Sequence, residues 1–452
     1  MLTRIRVLLA AAAIVAAMMV TSIAPTRAQQ RTLSFIRDAE IEATIRAYAA
    51  PLFTAAGLDA RAISVHLVND RSLNAFVANG LNMYINTGLL MRTEHAGQVI
   101  GVIAHETGHI QGGHLLQMRE TLNQAAIPFL LEMLATMGAV AAGARPGNPN
   151  DWGGVMGPGG PTITERMLLR YSRGMENQAD QAGVALLDRT GQSARGLMEF
   201  LEVIGEQELI QIGRQDPYVR THPISRDRID FVRNHVARAR SSNVPIRPEF
   251  AEMHRRLRAK LFGFMDPGRA LQLYKETDNS IESRYARAIA SYKRLDFARS
   301  NALFDSLIKE RPSDAFFLET QGQFLLEQGK PREARPLYAR AAALAPQESL
   351  IVQALGWAEL QSDAVKPAIA TLERARQLRP DDADTWRLLA QAYARDNQLG
   401  MADYAQAEYF AQLGRSPEAV QFAERALRQL PANSPLALKA QDIKEAHQRR
   451  PK

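Results

Sequence analysis

Three residues in one short stretch of the chain could hold and use a metal ion. The sequence His105-Glu106-Thr107-Gly108-His109 places two histidines four residues apart. On an α-helix this spacing puts both imidazoles on one face, where both can reach a single Zn²⁺ ion at about 2.0–2.1 Å. Glu106 stands beside them and could take a proton from a water molecule on the ion. The pattern also occurs by chance, so a plain polar helix face remains the alternative.

A zinc site needs at least one more protein ligand, and the sequence offers two candidates. His114 lies one residue before position 115, where the HExxHxxGxxH spacing of metzincins places the third histidine, so we expect it at a helix end or on the surface. Glu176 and Asp180 instead stand four residues apart in another helical stretch. Glu176 could ligate the ion, and Asp180 could accept a hydrogen bond from a ligand histidine. A solvated acidic face is the alternative for this pair.

The periodicity of apolar residues indicates which elements carry these groups. Helical spacing predicts that the HExxH residues lie within a long helix. Before it, alternating stretches predict short strands with a turn at Asn79-Gly80. Pro51 is expected to break or kink the first helix near its end. The predicted helices are 33–56, 95–124, 164–190, 193–210 and 224–240, and the predicted strands are 63–67, 74–77 and 82–86.

Two stretches between the candidate ligand helices leave alternatives open. Residues 125–144 are very apolar, with Glu132 as the one charged residue, and form either a buried helix or a segment that touches a membrane. Residues 143–161 are too rich in Gly and Pro for a regular element, so we expect a long loop. This loop either gates the cleft, meets a partner, or is a disordered insertion.

From about residue 280 the sequence repeats with a period of 34 residues, marked by Pro312, Pro346 and Pro380. Ten residues after each of these prolines stands a small residue, which would let the two helices of a hairpin approach. The pattern resembles the tetratricopeptide repeat and predicts an all-α solenoid whose concave face binds a protein segment. A unit at 280–312 is degenerate, and a fourth repeat follows a slip of register. The small residues are Gly322, Gly356 and Ala390, and the fourth repeat contains Ala419, Ala426 and Pro431.

The N-terminal residues and the composition indicate an exported protein and exclude some kinds of site. Residues 1–28 are predicted to be a cleaved signal peptide, because Arg4 and Arg6 precede an apolar run and small residues end at Ala28. A retained anchor is the alternative, although the run at 7–20 is short for a span of about 20 residues. Without this peptide, 52 basic residues (55 less three arginines) face 48 acidic ones, which gives no support to nucleic-acid binding. The chain has no cysteine, so disulfides and thiolate metal sites are excluded.

The combination of HExxH with a later Glu176-x-x-Ala179-Asp180 resembles peptidase family M48. The resemblance extends over about residues 60–235. It covers two further segments, one before HExxH and one after the second motif. These are Asn74-Ala75-Phe76 with residues 85–90, and Thr221-His222-Pro223 with Arg228-Ile229.

This resemblance implies a mainly α fold with a small β-sheet (α+β, gluzincin-like) and one Zn²⁺ ion per chain. It implies that His105, His109 and Glu176 hold the ion, and that Glu106 is the general base. For His222 it implies one of two roles. Either this residue stabilises the oxyanion of the intermediate, or it ligates zinc in place of water and holds the enzyme off.

The resemblance also implies roles for residues that do not ligate the metal. Asp180 would fix a ligand histidine, and Arg228 would orient a carboxylate near the site or simply form an ion pair on a helix surface. Asn74, Ala75 and Phe76 would form an edge strand to which a substrate adds by backbone hydrogen bonds. A plain packed strand is the alternative for these three residues.

A signal peptide, a peptidase domain and repeats together resemble an exported subgroup of family M48. They imply a signal peptide at 1–28, a peptidase domain at 29–265 and a repeat domain at 266–452. The implied location is the periplasm, and the implied partners are unfolded or misassembled outer-membrane proteins and the β-barrel assembly machinery. A chaperone or scaffold for envelope proteins is the alternative from another class. A metzincin-like protease is disfavoured by the position of His114.

Overall fold

The structure is a computed structural model that describes residues 34–59, 64–78, 81–114, 116–117, 120, 163–206, 218 and 222–448. The predicted signal peptide, the stretches 125–144 and 143–161, and the Asn79-Gly80 turn lie outside these residues. None of the helices in the described ranges is long and apolar enough to span a membrane.

Within the described residues, four short strands form one mixed sheet, and they are β1 (Phe35–Ile36), β2 (Ser64–Val68), β3 (Ala75–Ala78) and β4 (Asn82–Asn86). The strand order is β1-β2-β4-β3, in which β2 and β4 are parallel and the other two pairs are antiparallel. The three predicted strands are confirmed to within one residue at each end. The sequence does not predict β1, because two residues carry no periodicity and this strand exists only through its pairing with β2.

Three predicted helix bounds in this part of the chain differ from the observed ones by five residues or more, among them the end of the helix predicted for 193–210, which ends at residue 205. The first helix begins after Asp38 rather than at residue 33, because the Asp38 carboxylate caps it by accepting a hydrogen bond from the Ile41 amide at 2.9 Å. The HExxH helix ends at residue 111 rather than 124, where Gly113 adopts a φ of +62° that continues no right-handed helix. The helices are α1 (Ala39–Ala55), α2 (Thr87–Arg92), α3 (Ala96–Gln111), α4 (Ile163–Arg189), α5 (Arg195–Gly205) and α6 (Arg226–Arg238).

Helix α3 runs through the centre of the peptidase core. It contacts α1, α4, α5 and the strand β3. Its approach to α5 is very close, because a Cβ on Gly101 would lie 2.6 Å from the Leu197 amide nitrogen. Apolar residues at helical spacing fill the remaining space around it, so α3 is a rigid support for polar groups at its C-terminal end. These apolar residues include Val99, Ile100, Val102 and Ile103 from α3 with Val184, Leu187, Phe200 and Leu201 from α4 and α5.

Two further helices, α7 (Pro248–Met265) and α8 (Pro267–Leu273), connect this core to the repeats. Helix α7 contacts α1 on one side and the first repeat helix on the other. Its Lys260 is fully buried and lies 2.9 Å from a carboxylate oxygen of Asp38. The same ammonium lies 3.5 Å from Glu40 and 3.6 Å from Glu319, which belongs to the repeats. A buried charge cluster therefore spans the junction.

The C-terminal part is a solenoid of helical hairpins, which confirms the predicted repeats. The first helices of four successive hairpins begin at Ile281, Ala315, Ser349 and Ala383, which preserves the 34-residue period. The unit at 280–312, degenerate in sequence, is a complete hairpin. A Cβ on Gly356 would lie 2.6 Å from Leu372, so the small residues do permit close approach of paired helices. The helices are α9 (Ile281–Lys293), α10 (Phe297–Glu310), α11 (Ala315–Glu327), α12 (Pro331–Leu344), α13 (Ser349–Gln361), α14 (Val365–Leu378), α15 (Ala383–Arg395), α16 (Leu399–Gln412), α17 (Ser416–Gln429) and α18 (Pro435–Gln448).

Candidate metal centre

Helices α3 and α4 cross so closely that the two sequence motifs meet. A Cβ on Gly108 would lie 2.6 Å from the carbonyl oxygen of Ala179. Gly108 within HExxH and Ala179 within ExxAD are therefore small because the two backbones touch at this point. The crossing brings His105 and His109 of α3 beside Glu176 of α4.

Four potential metal donors converge at this crossing. One donor atom from each of His105, His109, Glu176 and His222 lies within 4.8 Å of the others. The Nε2 atoms of His105 and His109 are 3.1 Å apart, and each lies 3.3 Å from a carboxylate oxygen of Glu176. Nδ1 of His222 lies 3.2 Å from both oxygens of Glu176. Three of these side chains are buried, and His109 is 12% exposed.

Asp180 and Arg228 fix the orientation of this group. Nδ1 of His105 lies 2.8 Å from Oδ1 of Asp180. An ionised carboxylate only accepts hydrogen bonds, so Nδ1 carries a hydrogen, and in the neutral ring that binds a metal the lone pair is on Nε2, which faces the other donors. Arg228 donates to both oxygens of Asp180 at 2.6 and 3.0 Å and contacts Oε2 of Glu176 at 2.9 Å. Because Arg228 is only 1% exposed, the alternative of a surface ion pair is wrong.

The buried groups leave the site with excess negative charge. Three buried carboxylates, from Glu106, Glu176 and Asp180, outnumber the one buried guanidinium, that of Arg228, among the described groups of the site. Burial lowers the pKa of His105, but hydrogen bonds that the imidazole donates to Asp180 and Glu176 outweigh this effect and raise the pKa to about 10. Since nearby carboxylates make even a fully buried imidazole hold a proton, the site favours a cation.

Glu106 lies beside the donors in a different environment. It is 1% exposed, and neither carboxylate oxygen has a hydrogen-bond partner among the described residues. Burial raises the pKa of Glu106 above its usual value. Nε2 of His222 lies 3.5 Å from Oε1 of Glu106. A carboxylate with unoccupied lone pairs and a raised pKa can accept a proton from a water molecule that reaches it.

Tyr218 holds His222 in place, and sequence reasoning missed this residue. The two rings stack with centroids 4.4 Å apart, and the His222 amide donates to the Tyr218 carbonyl oxygen at 2.7 Å. The Tyr218 amide in turn donates to the carbonyl oxygen of Leu73 at 3.4 Å, two residues before β3. The four-residue spacing of Tyr218 and His222 is the one signal in the sequence that could have identified this pair.

The residues predicted to bind substrate lie at the edge of the described sheet. Strand β3 pairs only with β4 among the described strands, and it contacts α3. Asn74 lies just before β3, and its carbonyl oxygen accepts a hydrogen bond from the Asn86 amide at 3.0 Å. Ala75 is fully buried, and Phe76 stacks on Tyr84 with centroids 4.9 Å apart. β3 therefore has the edge position that backbone addition of a peptide requires.

The donor set fits a zinc ion. Imidazole nitrogen and carboxylate oxygen are the ligands that zinc takes in cysteine-free catalytic sites. Asp180 supplies the carboxylate–histidine arrangement that fixes a ligand imidazole. A cation would also offset the negative charge of the three buried carboxylates.

Residues 36–236 match the model of peptidase family M48. This segment is an M48 peptidase domain. Residues 285–349 and 325–392 match two tetratricopeptide-repeat models, so the chain combines the M48 domain with a repeat solenoid. Membership of this family implies a metal ion in the M48 domain.

Several curated proteins are similar to most of the chain. The β-barrel assembly-enhancing protease of Yersinia pestis is 24% identical over 376 residues, which cover 78% of this chain and 72% of that protein. The protein of the same name from Escherichia coli K12 is 24% identical and covers 81% of this chain and 75% of its own length. Metalloprotease YcaL of the same organism is 27% identical over 175 residues, 38% of this chain and 61% of that protein. These relatives and the M48 domain support a metalloprotease.

Proposed function

We propose that the chain is a zinc-dependent endopeptidase in which His105, His109 and Glu176 ligate one Zn²⁺ ion and Glu106 is the general base. One observation carries the proposal. The three ligand side chains meet at a site where buried carboxylates outnumber guanidinium groups, and the carboxylate of Glu106 lies beside it without a hydrogen-bond partner among the described residues.

The residues of the site have different roles in the proposed peptide hydrolysis. When bound, Zn²⁺ would supply Lewis acidity and lower the pKa of a water molecule. Glu106 would take the proton of the attacking water and pass it to the leaving amine. Asp180 would keep the Nε2 lone pair of His105 directed at the metal, and Arg228 would keep the carboxylates of Asp180 and Glu176 ionised. The strand β3 would align the substrate backbone.

Substitution of the proposed base tests this function. Glu106→Gln should leave about one zinc per chain and should abolish cleavage of casein, because the amide cannot accept the proton. The matched control is Glu94→Gln, which changes an exposed carboxylate just before α3 and should leave both properties unchanged. Zinc is measured by mass spectrometry and cleavage by peptide release. Casein cleavage by Glu106→Gln at the rate of the unsubstituted chain would overturn the proposed mechanism.

We further propose that His222 restrains the enzyme by joining the three ligands on the metal. The position of its Nδ1 atom, 3.2 Å from Glu176 and 3.4 Å from Nε2 of His105, supports this role. His222→Ala should then raise the rate of casein cleavage, because a water molecule can replace the imidazole. A fall in rate would instead favour the alternative role of His222, stabilisation of the oxyanion.

The resemblance to β-barrel assembly-enhancing proteases supports a role in outer-membrane protein assembly. We propose a periplasmic enzyme with a peptidase domain at 29–265 and a repeat domain at 266–452, in which the repeats bind unfolded outer-membrane proteins or the machinery that inserts them. A groove of about 420 Å³ between α7 and the repeats supports this role. Its lining includes the apolar side chains of Phe264, Leu350 and Trp357, and Trp357 is 40% exposed.

A chaperone or scaffold remains the alternative from another class, since the repeats and their groove would serve either function. Complementation of a deletion strain distinguishes the two. Glu106→Gln should fail to restore outer-membrane protein assembly if proteolysis is the function. Full restoration by this variant would favour the scaffold.

A further inference from the structure

His114 lies just past the end of α3, which agrees with the predicted helix-end position, but it is buried against the metal centre and the predicted surface position is wrong. It follows the Gly112-Gly113 turn at the end of α3, and it is 3% exposed. Nδ1 of His114 lies 2.9 Å from Nδ1 of His109, and its Nε2 lies 3.1 Å from Oε1 of Gln178 on α4. His114 is not one of the four donors that converge. It contacts the far side of a proposed ligand instead.

Two hydrogen bonds connect the side chains of His109, His114 and Gln178 in series. His109 can bind a metal through Nε2 only if each of these bonds has one particular donor and acceptor. The amide oxygen of Gln178 only accepts, so Nε2 of His114 carries the hydrogen. Nδ1 of a neutral His114 is then an acceptor, and Nδ1 of His109 must donate to it. This leaves the lone pair of His109 on Nε2, which faces Glu176 at 3.3 Å.

If the donors and acceptors of these two hydrogen bonds were exchanged, His109 could not bind a metal through Nε2. If the amide nitrogen of Gln178 faced His114, every donor would become an acceptor, and Nε2 of His109 would present a hydrogen to the site. The two ligand histidines are thus held by different acceptors. His105 donates to the carboxylate of Asp180, and His109 donates to a second imidazole.

We propose that His114 and Gln178 are positioning residues that fix the tautomer and ring orientation of His109 for metal binding. This inference rests on the proposed zinc site. Loss of a partner of this kind lowers metal affinity by about 10–100-fold. His114 variants should bind zinc more weakly, but they can still contain zinc when the metal is abundant.

Zinc affinity of the full chain, measured by competition with a chromophoric chelator, tests the proposal. His114→Leu should bind zinc about 10–100-fold more weakly than the unsubstituted chain. His114→Asn should recover most of this loss, because its amide oxygen can accept from His109 where Nδ1 of the imidazole did. If His114 served only to fill space, the presence of a hydrogen-bond acceptor in His114→Asn would give it no higher zinc affinity than His114→Leu.

A second pair of variants tests the same hydrogen bonds at Gln178, which is the exposed member of the series. Gln178→Lys places a donor opposite Nε2 of His114 and should weaken zinc binding about 10-fold. Asn177→Lys adds the same charge to the neighbouring exposed position of α4 and controls for electrostatic repulsion. Because Gln178 is exposed, this pair gives a result even if His114→Leu does not fold.

The outcomes separate this inference from the proposed function. If the unsubstituted chain binds no zinc, the proposed function fails. If it binds one zinc, and His114→Leu binds within twofold of the same affinity, the positioning role is wrong. Equal affinities of Gln178→Lys and Asn177→Lys would also overturn it. Cobalt-substituted protein provides an independent readout, because a changed His109 orientation should alter the visible absorption in His114→Leu but not in His114→Asn.

Discussion

Arg228 should be the residue whose loss most destabilises the metal-free peptidase domain. Its guanidinium is buried and donates to both oxygens of Asp180 and to the carbonyl oxygen of Pro223, and it contacts Glu176. Arg228→Met preserves most of the side-chain volume and removes the charge. Two buried carboxylates then lose the guanidinium that contacts both of them.

The expected loss follows from this geometry. Removing one partner of a buried ion pair costs about 3–5 kcal/mol, because the other charge is left uncompensated. Since two carboxylates depend on Arg228, the loss should lie near the upper end of that range. Hydrogen exchange of α3 and α4 amides, measured by mass spectrometry on zinc-free protein, reports the local free energy of opening. Saturating zinc should restore part of the loss, because the ion supplies positive charge at the same site.

Arg233→Met on the same helix is the matched control. Arg233 is 53% exposed and pairs with Glu202 and Asp230 at 2.9 and 2.7 Å. Exposed pairs contribute about 0–1 kcal/mol, so this variant should change little. The reasoning is refuted if Arg228→Met and Arg233→Met destabilise α3 and α4 equally.

Two further predictions concern the helix crossing and the junction with the repeats. Gly108→Val should lower zinc affinity at least about 10-fold, because its Cβ would lie 2.6 Å from the Ala179 carbonyl oxygen and force α3 and α4 apart; an unchanged affinity in the chelator competition would contradict the close crossing. Burial raises the pKa of Glu319 to about 7, although the ammonium of Lys260 lowers it. The folded chain therefore holds this proton more tightly than the unfolded chain, and the resulting stability is present below the usual pKa of 4.5 and is lost as pH rises through about 7. Glu319→Gln should remove up to about 3 kcal/mol of this pH dependence in urea unfolding at pH 5 and 8, and identical pH profiles for the two chains would show the assignment to be wrong.

The sequence predicts the parts of the site that lie on helices. His105 and His109, and likewise Glu176 and Asp180, stand four residues apart, and helical geometry places each pair on one face. Their partnership across two helices follows only from resemblance to family M48. Gly108 is a small residue between the two histidines, and its contact with Ala179 explains in the structure why the two motifs can meet.

The remaining features depend on contacts between distant segments, which no local pattern encodes. The stacking of Tyr218 on His222 accompanies a hydrogen bond from the Tyr218 amide to Leu73, which lies far away along the chain. The burial of His114 requires the Gly112-Gly113 turn that ends α3 early. Strand β1 likewise exists only through pairing with residues thirty positions away along the chain.

The central claim is that one zinc ion is held by His105, His109 and Glu176. Anomalous diffraction at the zinc absorption edge, from crystals of the full chain grown with equimolar zinc, tests this claim most directly. The account predicts a single anomalous peak about 2.0–2.1 Å from Nε2 of both histidines, adjacent to a carboxylate oxygen of Glu176. A peak elsewhere on the chain, or none at the crossing of α3 and α4, would contradict it.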